Sequence, residues 1–83
     1  MVQMDLGQAI RERILQICHE KKITVNKLAT ICGITQSTLS NIMSGRNYGT
    51  TVSTVKKICD GMDMTLKDFF DFELFYIIEQ EVK

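Results

Sequence analysis

Twenty consecutive residues, VNKLATICGITQSTLSNIMS from Val25 to Ser44, constrain the fold more than any other stretch of the chain. They hold two apolar stripes at helical spacing, Val25, Leu28, Ala29 and Cys32 in one, and Leu39 and Ile42 with Met43 beside them in the other. Thr24 and Thr35 stand just before the two runs, where a hydroxyl accepts from the unpaired N–H groups of a helix start. Gly33 lies between them, where a helix stops by placing one residue in the left-handed region. Helices this short do not hold in water alone, since isolated helices need roughly 12–15 residues. The pair must therefore be locked by side chains. Ala29 is small where two helices have to cross closely, and Leu28, Cys32, Ile34, Leu39 and Ile42 supply the apolar lock.

The rest of the chain repeats the pattern, and no proline interrupts it. From Asp5 to Lys22, Leu6, Ile10, Ile14 and Ile17 form one apolar helical face, with Asp5 as N-cap and Lys21 and Lys22 at the negative end. The third helix is expected to run to about Ser44 and to end at Gly45, followed by a polar loop, GRNYGT. Thr51 caps a fourth helix with Val52, Val55, Ile58 and Met62 facing inward. Thr65 and Asp68 form a T-x-x-D capping pair for a fifth, from Leu66 to about Asp71. Residues 69–78, FFDFELFYII, are different: eight of the ten are apolar. Phe70, Phe72, Leu74, Tyr76 and Ile78 alternate as in a strand, while Phe70, Leu74 and Ile77 fit a helix, so the element type stays open. The expected architecture is all-α, with a five-helix domain over residues 1–71 and a short apolar tail over 72–83.

Eighty-three residues make one domain, too small to enclose a deep substrate cleft. The net charge is zero but segregated: residues 1–58 carry +5 and residues 59–83 carry −5. A basic half facing phosphate, with an acidic half turned away, fits that split. The opening residues, MVQMDLGQAIRER, lack the order of a secretory signal, and no apolar run reaches membrane-spanning length, so a cytoplasmic location without membrane association is expected. Cys18, Cys32 and Cys59 are widely spaced and odd in number, which suits reduced core thiols rather than a disulfide frame. His19 is the only histidine, no C-x-x-C occurs, and no phosphate loop or serine–histidine–acid set is present. No metal, cofactor or enzymatic activity is expected.

Two short helices joined at a tight glycine turn form the helix-turn-helix arrangement, over residues 25–44, whose second helix enters the DNA major groove. The likeness extends from Ile10 to Phe70: LATICG, then ITQSTLSNI, a glycine and a basic loop GRN, and finally GMDMTLKDFF. This stretch resembles the Cro/repressor family of phage and bacterial regulators, also called the XRE family. The resemblance implies five helices around one core and repressor-type binding of double-stranded DNA. It places Gln36, Ser37 and Asn41 at base-contacting positions; glutamine and asparagine suit bidentate pairing with adenine. It puts Arg46 and Asn47 in the loop that clamps the DNA backbone. Thr38 and Ser40 flank the reading face as sugar or phosphate contacts. Thr24 and Thr51 head helices whose N-terminal dipoles attract phosphate, and Lys27 and Tyr48 are weaker candidates. One departure stands out. Many family members pair an arginine late in the first helix with a glutamate near the end of the third, and here those positions hold Cys18 and Met43. Replacing both partners of a buried pair by apolar groups is often neutral.

A single domain of this type reads about half a site, so a homodimer is expected. Phe69 and Phe70 are expected to finish the monomer core. Phe72, Leu74, Phe75, Tyr76, Ile77 and Ile78 then form a patch that a second copy would cover. The alternative is an antitoxin-like protein that holds a partner enzyme through this tail and regulates its own operon.

Overall fold

The computed structural model describes residues 5–44 and 50–78. Among them the chain forms α1 (Leu6–Lys21), α2 (Val25–Cys32), α3 (Gln36–Met43), α4 (Val52–Gly61), α5 (Leu66–Phe70) and α6 (Glu73–Ile77). The five expected helices are present, and in the ambiguous tail Glu73–Ile77 add a sixth, flanked by Phe72 and Ile78 with extended backbone.

Local chemistry sets the boundaries. Asp5, Thr24, Thr35, Thr51 and Thr65 all cap as anticipated, each accepting from the backbone N–H three residues on. Thr65 and Asp68 close a full capping box, and Asp5 forms a second one with Gln8. Three helices stop by the same device. At the end of α2, Ile34 N–H reaches Ala29 O at 2.9 Å and Gly33 N–H reaches Thr30 O at 3.4 Å, a Schellman motif with Gly33 at φ +70°. The same pair of bonds closes α1 around Lys22 and α4 around Asp63. Those two residues adopt φ 57° and 56°, a region costly for side chains other than glycine.

The core is formed by Ile10, Ile14, Ile17 and Cys18 of α1, Leu28 and Cys32 of α2, Ile42 of α3, Val55, Ile58 and Cys59 of α4, Met62, and Phe69 of α5. At Gly61, α4 lies directly against α2. A Cβ added to Gly61 would lie 2.4 Å from Cys32 Sγ and 3.1 Å from Cys32 Cα. Two residues on the expected inner faces point outward instead. Leu6, in the first turn of α1, and Val52, in the first turn of α4, are 48% and 70% exposed. Both lie at helix starts, beyond the reach of the neighbouring helices, where periodicity still holds but no partner faces it.

Arg13 belongs to the core and not to a basic surface. It is only 8% exposed. Its Nε donates to Phe69 O at 2.8 Å and its Nη2 to Asp68 O at 2.7 Å, so the guanidinium caps the carbonyl end of α5. Its cation also sits 5.3 Å from the centre of the Phe72 ring. The aromatic tail gathers around this point. Phe75 meets Phe70 edge-on at 5.0 Å and packs against the core beside Phe69. Phe69 is fully buried, but Phe70 is 36% exposed, so Phe75 takes the covering place expected of Phe70. Phe72, Leu74, Phe75 and Ile78 are half-buried. The exposed remainder of the tail patch is Tyr76 and Ile77, at 70% and 64%. The Tyr76 hydroxyl donates to the Asp71 carboxylate, which raises its ionisation above the usual tyrosine range.

Candidate nucleic-acid interface

The site is built on the eight residues of α3. Leu39 and Ile42 are buried, and each such side chain contributes roughly 1.5–3 kcal/mol on leaving water. They seat α3 against α1 and α2. Gln36, Ser37 and Asn41 occur one, two and six residues after the Thr35 cap and fall on the opposite side; all three are exposed. The N-terminal turn is closed by its cap. Thr38 N–H donates to Thr35 Oγ1 at 3.2 Å, and the two hydroxyls meet at 3.0 Å, which accounts for the half-buried state of Thr38. Ser40 is exposed.

The C-terminal end of α3 is tied to α1. Arg11 Nε donates to Met43 O at 2.9 Å across 32 residues of sequence, while the same guanidinium pairs with Glu12. Cys18 lies in the core and Met43 packs against it. The apolar replacement of the family ion pair is thus accommodated, and a different arginine connects the two helices. Residue spacing alone does not reveal this link, which joins positions 32 residues apart.

The start of α2 stands beside the start of α3. Gln36 Nε2 donates to Asn26 Oδ1 at 3.4 Å. Thr24 and Lys27, both exposed, flank Asn26, and Lys27 N–H donates to Thr24 Oγ1 at 3.0 Å. Three side chains of mixed donor and acceptor character and one lysine therefore gather around two helix N-termini. An exposed asparagine in a helix's first turn, such as Asn26, has no signature in a single sequence. Thr51 caps α4 by accepting from Thr54 N–H at 3.2 Å. Gly45, Arg46, Asn47 and Tyr48 lie outside the described residues.

The basic character expected of residues 1–58 is partly spent on the fold. Arg11 and Arg13 hold helix ends, and Lys56 pairs with Asp60 one turn along α4. Lys21, Lys22, Lys27 and Lys57 are exposed. Among the described residues, no group of three or more histidine, cysteine or acidic side chains is placed to hold a metal ion, and no helix is long and apolar enough to cross a membrane. Cys18, Cys32 and Cys59 are free thiols within the core. Burial raises the ionisation of all three above the ordinary thiol value.

Comparisons with known proteins place this geometry. A family model described as the Cro/C1-type HTH DNA-binding domain matches residues 13–74. The chain is 28% identical over 74 residues to the SPbeta prophage-derived uncharacterized HTH-type transcriptional regulator YopS of Bacillus subtilis (strain 168), which covers 89% of this chain and 96% of that protein. The crystal structure of the prophage Lp1 protein 11 is similar with a TM-score of 0.82 and 28% identity, over 92% of this chain and 100% of that one. The matched span runs from the arginine that caps α5 to the first turn of α6 and contains the whole α2–turn–α3 unit. The chain belongs to the Cro/C1-type helix-turn-helix family of DNA-binding domains.

Proposed function

We propose that the protein is a sequence-specific transcriptional regulator, a repressor that lays α3 in the major groove. One observation supports this reading: a short, capped helix, the second of the pair within the matched domain, exposes Gln36, Ser37 and Asn41 to solvent. Those three side chains read base edges. Thr24, Lys27, Thr38, Ser40 and Thr51, with Arg46 and Asn47, hold the phosphate backbone and set register. The likeness to a protein named as a transcriptional regulator supports control of transcription as the outcome of binding.

Selection of sites from random duplex DNA, followed by titration across salt concentrations, tests the reading. Affinity for the selected site falls steeply with salt, because phosphate contacts release counterions. Arg46→Ala weakens binding to all sequences alike and lowers the salt slope by about one. Gln36→Ala and Asn41→Ala each relax preference at one or two base pairs by roughly 1–3 kcal/mol and leave the melting curve in place. A protein that selects no sequence, or two variants with wild-type preference, sinks the proposal.

The active species is a homodimer on paired half-sites, because one domain reads only half of such a site. The exposed Tyr76 and Ile77 are the candidate contact, flanked in sequence by the half-buried Phe72, Leu74, Phe75 and Ile78. Truncation after Asp71 would remove Phe75 from the core, so point changes are the cleaner probe. Wild-type protein sediments as a dimer at micromolar concentration, and Tyr76→Ser with Ile77→Ser sediments as a folded monomer. A wild-type monomer under those conditions refutes the dimer; a dimeric double variant removes the tail from its interface.

A further inference from the structure

We propose that Lys22 is a DNA-backbone contact, and that the chain accepts backbone strain at the α1–α2 corner to keep a cation there. This rests on the reading in which α3 enters the major groove. Among the described residues the same corner is built at three places. A left-handed residue follows one helix, a partly buried apolar residue comes next, and a threonine caps the helix after it: Lys22-Ile23-Thr24, Gly33-Ile34-Thr35 and Asp63-Met64-Thr65. The bonds match as well. Ile23, Ile34 and Met64 N–H reach the carbonyl five residues back at 3.0, 2.9 and 2.9 Å. The left-handed φ values are 57°, 70° and 56°. Glycine takes this region freely, while other side chains are strained in it. The Gly33 corner shows that the geometry asks for nothing more than glycine. What Lys22 and Asp63 add is charge, and the two charges are opposite.

The two charges stand at different ends of the chain's charge split. Lys22 precedes the Thr24 cap by two residues, and α2 starts beside the start of α3, where Asn26 and Gln36 meet. The α1–α2 corner therefore borders the first turn of the reading helix. Lys22 is exposed and, among the described residues, its ammonium pairs with no acid, so it can meet a phosphate without first losing a partner. Its flexible stem carries a compact charge, which suits a phosphate and reads no base. Asp63 stands at the corner between α4 and α5, within the segment of net negative charge. An acid in the place of Lys22 would repel the duplex.

The test uses full-length protein, the duplex it selects from random DNA, and an unrelated duplex, each titrated across salt concentrations, with a thermal melt for every variant. Lys22→Gly melts a few degrees above wild type because the strain is released. It binds both duplexes severalfold more weakly, with a salt slope lower by about one. Lys22→Asn, a residue that tolerates the same φ, loses binding to the same extent. Lys22→Arg restores the slope lost in Lys22→Gly. Asp63→Gly also melts higher but binds as wild type, which separates release of strain from loss of charge. Lys67→Gln removes an exposed cation from α5 and leaves the slope in place. Wild-type affinity and slope in Lys22→Gly overturn the contact while the reading of α3 stands. A drop of equal size in Lys67→Gln marks a general charge effect, and a loss confined to the selected duplex marks a base contact; each overturns the proposal. A Lys22→Gly melt at or below that of wild type refutes the strain. Should the wild-type protein select no duplex, both inferences fall together.

Discussion

Gly61→Ala lowers the stability of the fold by about 2–3 kcal/mol, the typical cost of forcing extra atoms into a packed crossing. The added methyl would lie 2.4 Å from Cys32 Sγ and 3.1 Å from Cys32 Cα. The sulfur can turn aside, but the backbone atom can move only with α2. A domain of this size is stable by roughly 4–12 kcal/mol in all. The melting temperature should therefore fall by on the order of 10 °C or more. Thermal unfolding followed by circular dichroism measures it. Combining the change with Cys32→Ala recovers part of the loss, because the sulfur overlap disappears and the 3.1 Å contact stays. Gly33→Ala is the contrasting case. Nothing lies within 4 Å of its added Cβ, and only the φ of +70° resists it, at a cost of about 1 kcal/mol. Equal and small effects for the two glycines would show that the α2–α4 crossing is looser than described.

Arg13→Met costs about 3 kcal/mol, although the new side chain is apolar and of similar length. The guanidinium makes two charge-assisted bonds to main-chain carbonyls, at 2.8 Å to Phe69 O and 2.7 Å to Asp68 O. Such bonds contribute roughly 1.5–3 kcal/mol each, and the orphaned carbonyls keep their desolvation penalty. Arg13→Lys recovers only part of this, since one ammonium cannot reproduce the planar fork. Urea titration measures the loss. Hydrogen exchange locates it, with protection falling first in α5 and α6, the elements gathered around the cation. Wild-type protection there in Arg13→Met would refute the cap. Salt offers no substitute test, because the partners are neutral carbonyls and not carboxylates.

These two positions also mark where sequence reading stopped short. All five caps, the Gly33 turn and the buried faces of α2 and α3 follow from local patterns, and local patterns survive in a single chain. Charge counting treats every arginine as surface, whereas Arg13 is held in the core by two backbone oxygens 55 and 56 residues away as well as by the nearby Gln16 side chain. Gly61 carries no turn signal, since its requirement comes from a neighbouring helix. The left-handed Lys22 and Asp63 were invisible for a related reason: the chain accepts their strain to close the Schellman bonds. Leu6 and Val52 kept the helical period while lacking a facing partner. In the tail, periodicity could not separate strand from helix over ten residues that are nearly all apolar. Contact with the core decided it, and it did so through Phe75. On α3, the exposure of Gln36, Ser37 and Asn41 follows from the helical period, whereas the contact between Asn26 and Gln36 depends on how two helix starts meet.

The three core thiols give the molecule a built-in clock. Cys18, Cys32 and Cys59 sit on α1, α2 and α4, three of the helices that build the core. A soluble alkylating reagent reaches each only when its helix opens, so the labelling rate at each sulfur reads the opening frequency of that helix. Alkali acts on the same groups in a definite direction. Burial holds their ionisation above the ordinary value of 9.0 in the folded chain. The unfolded chain therefore releases these protons first, and stability that is intact below that value drains away as pH climbs past it. The unfolded state, not the native one, becomes the thiolate-bearing species, and every excursion into it under basic conditions is open to chemical capture.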